Sequence, residues 1–209
     1  MMTSVVHPAS TTVSIHDLAE LLWSTDPKLN TFMFRDNSTL LKILGREWPS
    51  REVLLSHNQA FVAGDGADFH GVLIGHTAHE YAKNFEASVR LQTEPLENDE
   101  AAHLEAALKW MDRLFPAPPD RSYYILEFAI SRSARGAGLA AQFLSAAEQR
   151  ARRSGCKRLC LDVAANNEAV GFYKHIGFEV EIETRVPFLH EEHGIGLHFQ
   201  MVRNLDDLS

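Results

Sequence analysis

The chain has 209 residues, 45% of them hydrophobic, with a formal charge of −8 and a pI near 5.7. That length provides apolar material for one sizeable core and is short for two ordinary domains, and the acidic balance argues against the clustered Lys and Arg of a nucleic-acid footprint. No run of eighteen apolar residues occurs, and the first ten residues lack the basic start and apolar stretch of a signal peptide, so a soluble, cytoplasmic protein with no membrane partner is expected.

Residues 1–12 are rich in Ser and Thr without a periodic pattern and read as a loose, flexible tail, which places the folded domain at residues 13–209. Ile15, Leu18, Leu21 and Leu22 recur at helical spacing up to Trp23, and Asp26-Pro27 breaks that helix. A second helix is predicted over residues 38–46. Residues 59–63 and 71–75 read as two strands joined by the turn Gly64-Asp65-Gly66, a hairpin. Leu104, Leu108, Met111 and Phe115 predict a helix over residues 98–115, stopped by Pro116, Pro118 and Pro119. The next strand, residues 123–130, is apolar apart from Glu127, as for a strand buried on both faces.

Residues 131–135 then lead into a glycine loop and another helix. Leu139, Phe143, Leu144, Ala147 and Ala151 form its inner stripe, Arg150, Arg152 and Arg153 complement its dipole, and Gly155 ends it. Residues 159–163 return as a strand. Asn166 or Asn167 caps a helix with Ala169, Val170, Tyr173 and Ile176 on one face, terminated at Gly177. Strands at 178–184 and 196–202 complete the sheet, and the acidic segment 187–196 between them, with His190, Glu191, Glu192 and His193, reads as a loop.

Cys156 and Cys160 match neither a redox nor a paired zinc spacing and read as free thiols. Neither His76 with His79 nor His190 with His193 has the H-E-x-x-H order that puts two ligands and a base on one helix, so no metal site is assigned.

The segment Arg135-Gly136-Ala137-Gly138-Leu139-Ala140 ends a strand region and opens a helix, which aims backbone N–H groups and the positive end of a helix dipole at one point. Such a point binds an anion. Gly136-x-Gly138-x-x-Ala141 also satisfies the dinucleotide fingerprint, with Asp162 at the end of the next strand. Against a nicotinamide cofactor, five residues separate Ile130 from Gly136, and the 47 residues after Asp162 are too few for the remaining strands of a doubly wound fold. A P-loop fails because no Lys-Ser or Lys-Thr pair follows the glycines.

Arg135-x-x-Gly138-x-Ala140 resembles the R-x-x-G-x-G/A loop of the GNAT superfamily of N-acetyltransferases. Downstream, Asn166-x-x-Ala169-x-x-x-Tyr173-x-x-x-Gly177-Phe178 is similar to that superfamily's asparagine, tyrosine and glycine-phenylalanine signature, in the same order. The resemblance implies a single α/β (α+β) domain: a central mixed, mostly antiparallel sheet with splayed middle strands and helices on both faces. The predicted helix at 98–115 then looks like an insertion before the central strand.

The resemblance further implies acetyl-CoA as cofactor, its pyrophosphate on Arg135, Gly136, Ala137, Gly138, Leu139 and Ala140, and its pantetheine arm along Phe128, Ala129 and Ile130. Asn166 either contacts the cofactor or caps its helix. Tyr173 either protonates the departing thiolate or packs in the core. The acceptor is expected to be a primary amine of a small molecule or peptide. An alkylammonium of pKa about 10.4 is roughly one part in a thousand neutral at neutral pH, so a base is required. Asp162 and Glu127 are the candidates, and Asp162 can instead simply accept backbone hydrogen bonds. A homodimer is compatible with this reading, as is a catalytically silent acyl-CoA-binding module.

Overall fold

The computed structural model describes residues 5–64 and 68–205; Asp65 and Gly66 of the expected turn, and the first four residues of the expected tail, lie outside the described residues. In chain order the elements are β1 (Val6–Pro8), α1 (Ile15–Trp23), α2 (Pro27–Phe34), α3 (Asn37–Glu47), β2 (Ala60–Ala63), β3 (Gly71–Thr77), α4 (Ala78–Thr93) and α5 (Asn98–Leu114). They continue with β4 (Ser122–Ile130), α6 (Leu139–Arg153), β5 (Arg158–Ala164), α7 (Ala169–His175), β6 (Glu179–Thr184), α8 (Pro187–His193) and β7 (His198–Asn204).

All seven strands share one sheet in the order β1-β2-β3-β4-β5-β7-β6. Each neighbouring pair is antiparallel except β4 with β5, which are joined through α6, the long crossover a parallel pair needs. The expected mixed, mostly antiparallel sheet is therefore present. One face packs on α6 and α7 through Phe143, Leu144, Ala147, Val170 and Tyr173. The opposite face packs on α1, α3 and α5 through Leu18, Leu22, Ile43, Leu44 and Leu104. A third cluster joins α2, α5 and α8 through Phe32, Ala107, Met111 and Leu189.

Three expectations need correction, and one helix goes unannounced. The stretch read as a loose tail forms a strand at its centre: Val6, His7 and Pro8 pair with Ala63, Val62 and Phe61. Asp26-Pro27 does not only end α1; the Asp26 carboxylate accepts from the Leu29 amide at 3.0 Å and Pro27 supplies the first turn of α2. The acidic segment read as a loop is largely the helix α8, started by Pro187 and closed by Gly194 at φ 65°, with Leu189 fully buried.

The unannounced helix is α4, which the apolar pattern does not reveal because its buried side is polar. Asn84, Ser88 and Gln92 face inward, where Ser88 Oγ accepts from the Leu54 amide at 2.6 Å and Gln92 Nε2 donates to Glu47 Oε1 at 3.2 Å. Glu47 Oε2 also accepts from the Leu55 amide at 2.8 Å, so the segment before β2 is held by buried side chains rather than by a sheet ladder. The sequence does carry one signal for this helix, a capping box in which Thr77 and Glu80 bond each other's backbone amides.

Candidate active site

The parallel pairing of β4 with β5 runs only from Ser122 opposite Arg158 to Ile125 opposite Leu161. Beyond it each strand keeps its other partner. β4 stays on β3 through Ile130, and β5 stays on β7 through Ala164. The two central strands therefore part, leaving one backbone edge of residues 126–130 unpaired among the described residues. The cause is local: Ile74 faces Glu127 whereas Gly75 faces Ile125, so Leu126 is an extra residue in β4. Such a bulge bends its strand and increases twist, and this one begins immediately after the last β4–β5 pair. Gly75 is required opposite it, since a Cβ there would stand 2.5 Å from the Tyr123 ring.

Below the bulge the register fixes which side chains share a face. Phe128 lies opposite Leu73 and, with Ile130, packs on the α6 side. Glu127 and Ala129 lie opposite Ile74 and Val72, on the α1 and α3 side. Asp162 alternates with Leu161 and Val163 of the α6-side core and therefore faces the same side as Glu127.

The loop after β4 forms a short 3-10 turn at Arg132–Ala134, and Gly136 and Gly138 both adopt φ 78°, the left-handed region that glycine enters without strain. Gly138 is the N-cap of α6. Among the described residues no hydrogen bond is made by the amides of residues 136–140, which lie at the start of α6, and a helix N-terminus with unpaired amides has the chemistry to receive an anion. Arg135 is exposed, and its Nε donates to the Ile130 carbonyl at 3.4 Å, tying the loop to the end of β4.

Asp162 and Glu127 are unlike in surroundings. Burial pushes the Asp162 carboxyl up to about 6, opposed by a hydrogen bond from the Tyr124 hydroxyl to Oδ2 at 2.8 Å, by His198 and by Gln200. Glu127 is half-buried with no hydrogen-bond or ionic partner among the described residues, and burial alone raises it to about 8. Both are carboxyls shifted toward the range in which a base can cycle protons near neutral pH.

Tyr173 lies on the other face, 7% exposed, its ring 5.6 Å from that of Phe178 and 5.7 Å from that of Phe172. Burial raises its phenol to about 12, so it stays protonated. Neither asparagine is the N-cap of α7, which is Glu168 with no side-chain capping bond: Asn167 accepts from the Ala169 amide at 2.9 Å in the preceding turn, and Asn166 is exposed there.

The paired histidines have unlike surroundings. His76 is fully buried in β3 with Nε2 2.9 Å from the Leu54 carbonyl, and burial lowers it to about 4. His193 packs edge-on against Phe32 at 4.5 Å, and His190 is exposed on α8. Cys156 and Cys160 are both free and buried.

The sequence reading passed over Tyr124, Gln200, His198 and Tyr81, which surround Asp162. Gln200 lies directly opposite Asp162 on β7, donates from Nε2 to the Pro116 carbonyl at 2.9 Å, and has no donor to its buried Oε1 among the described residues. His198 Nε2 lies 3.7 Å from Asp26 Oδ2. Burial alone would raise Asp26, but His198 and the Leu29 and Lys28 amides outweigh it and hold that carboxyl below its ordinary value. Lys28 Nζ donates to the Gly194 carbonyl at 3.3 Å, so the start of α2 is fastened to the segment that enters β7.

A sheet opened between parallel central strands, with a helix N-terminus beside the opening, sets this protein apart from the doubly wound dinucleotide folds, whose sheets are mostly parallel. The chain belongs to the acetyltransferase (GNAT) family, whose model matches residues 15–178. A Bacillus subtilis (strain 168) protein described as the uncharacterized N-acetyltransferase YdgE is 39% identical over 64 residues, covering 30% of this chain and 41% of that protein. The match thus spans less than half of that relative. Among solved structures, an N-acetyltransferase from Staphylococcus aureus Mu50 superposes with a TM-score of 0.67 at 16% identity, covering 95% of this chain and all of that one. A Bacillus subtilis acetyltransferase in complex with CoA superposes with a TM-score of 0.54 at 13% identity, covering 96% of this chain and 98% of that one. Among the described residues no helix is long and apolar enough to cross a membrane.

Proposed function

We propose that this chain transfers the acetyl group of acetyl-CoA to a primary amine of a small molecule or peptide by direct attack. The observation that carries the reading is the opening between β4 and β5, with the unpaired edge of residues 126–130 on one side and the free amides of α6 at its end. Family membership supports the cofactor class. In this reading Arg135, Gly136, Ala137, Gly138, Leu139 and Ala140 hold the pyrophosphate, and the open edge at Phe128, Ala129 and Ile130 pairs with the pantetheine arm. Asn166, exposed beside the opening of α7, adds a polar contact. Acetyl-CoA supplies the activated acyl group.

The protein's own groups then handle the protons. A primary amine arrives mostly as its ammonium and must lose a proton before it attacks, and Asp162 is the base we assign, directly or through water. Glu127, on the same face, is the competing base. A backbone N–H of the open edge polarises the thioester carbonyl and stabilises the oxyanion of the tetrahedral intermediate. Tyr173, protonated and on the opposite face, gives its proton to the departing thiolate. The two raised carboxyls, Glu127 and Asp162, favour an enzyme over a silent binding module, which has no use for a base.

The test is release of free CoA thiol from acetyl-CoA across a panel of polyamines, aminoglycosides and N-terminal peptides. Amine-dependent thiol release with mass-confirmed acetylation of the amine supports the reading. Tight acetyl-CoA binding without turnover on any of them sinks it and favours the binding module.

A further inference from the structure

Tyr124 is a second-row tyrosine that the mechanism above leaves unused. It is 5% exposed in β4, on the face of the sheet that also carries Asp162, and its hydroxyl donates to Asp162 Oδ2 at 2.8 Å. Its ring is fixed from the side by Tyr81 of α4, edge-on at 5.1 Å and 77°. Tyr124 pairs with Cys160 in the parallel ladder, and Ile125 opposite Leu161 is the last pair before the strands part. The donor is thus anchored in the closed part of the sheet, while the carboxylate it holds sits one step into the open part. We propose that Tyr124 is the positioning residue for the base of the acceptor site, its hydroxyl fixing Asp162 so that the second carboxylate oxygen is left for the acceptor's proton or the water that carries it. The proposal rests on the assignment of Asp162 as that base.

The surroundings make this hydrogen bond one-directional. Burial and the neighbouring Asp162 hold the Tyr124 phenol well above its ordinary range, so it remains a donor wherever the enzyme works. The other groups facing Asp162 are Tyr81 from α4, Cys160 from its own strand, and His198 and Gln200 from β7. Tyr124 gives the carboxylate its short bond, 2.8 Å to Oδ2, and Gln200 contributes a further, weaker side-chain hydrogen bond. A hydrogen bond given to the charged form of an acid stabilises that form, so its loss moves the carboxyl upward.

Tyr124→Phe removes the donor and keeps the ring. Two measurements follow, with Asp162→Asn as reference: the pH profile of kcat/KM, and the carboxyl titration of Asp162 in the resting protein by 13C NMR. The expected result is a rise of about one pH unit in the Asp162 midpoint, with the acid limb of kcat/KM moving by the same amount. A uniform fall in rate with both midpoints unmoved overturns the proposal, because a merely structural tyrosine would behave that way. A shifted carboxyl beside an unmoved limb also overturns it. Survival of the acid limb in Asp162→Asn instead shows that the base itself was misassigned.

Discussion

Asp162 and Tyr173 stand on opposite faces of the sheet: Asp162 projects toward the α1 and α3 side, and Tyr173 is buried in the α6 and α7 core. In the proposed mechanism, proton removal by Asp162 and proton return by Tyr173 would therefore take place on opposite sides of the sheet. The two groups can be altered independently, since among the described residues Asp162 is bonded by Tyr124 and no hydrogen-bond partner is common to both.

The base assignment has a pH signature. A carboxyl acts as base only above its folded pKa, so kcat/KM should climb through about pH 6 if Asp162 carries the role and through about pH 8 if Glu127 does. Asp162→Asn is expected to lower kcat/KM by roughly 100-fold and erase the limb near 6, with Glu127→Gln leaving that limb in place. A limb near 8 that disappears in Glu127→Gln would reverse the assignment.

Tyr173→Phe tests the opposite face. Loss of a general acid costs on the order of 100-fold in kcat, whereas removal of a hydroxyl that only packs leaves turnover within about twofold. The acetyl-CoA KM should stay near the wild-type value. Steady-state kinetics with the best acceptor decides between these outcomes.

Gly138 should report on the cofactor cradle. An alanine at φ 78° strains the backbone by about 1–2 kcal/mol, although no atom lies within 4 Å of the added methyl. The expected effect of Gly138→Ala is roughly a tenfold rise in the dissociation constant for acetyl-CoA, measured by calorimetry, with a small change in melting temperature. Unchanged affinity would remove the loop from the cofactor site.

Stability carries its own pH dependence through Glu47. Burial raises this carboxyl to about 7 from an ordinary value of 4.5, so between those values the folded chain retains a proton that the unfolded chain has lost. The contribution is complete below pH 4.5 and lost as pH rises through 7, on the order of 3 kcal/mol in all. Glu47→Gln should flatten this part of the stability profile in chemical denaturation. Glu47→Ala, which strands the Leu55 amide and the Gln92 side chain, should cost roughly 2–4 kcal/mol at any pH.

Legibility in the sequence followed how local the cause was. The helices α1, α5 and α6 are carried by their own apolar stripes and glycine or proline stops, and the loop before α6 by Gly136 and Gly138. α4 was hidden because Asn84, Ser88 and Gln92 fill the positions where apolar residues are sought, the hydrogen bonds of Ser88 to the Leu54 amide and of Gln92 to Glu47 doing what an apolar stripe does elsewhere. β1 is three residues long, too short for any alternation to show. Within the site, Asp162 and Glu127 were readable as charges among apolar strand residues. Tyr124 was not, because its tie to Asp162 spans 38 residues and depends on the register of two parallel strands that no local pattern sets.

Leu126 also inverts the parity of its strand. Counting by twos from Tyr123, Glu127 belongs with the α6 core and Phe128 with the opposite one; the extra residue exchanges them, so the carboxylate leaves that core and the aromatic ring enters it. Chain length at this point matters more than side-chain identity. A substitution at 126 preserves the bulge, whereas deletion of Leu126 would leave Glu127 and Phe128 on their present faces and remove the bulge that bends β4 where it parts from β5.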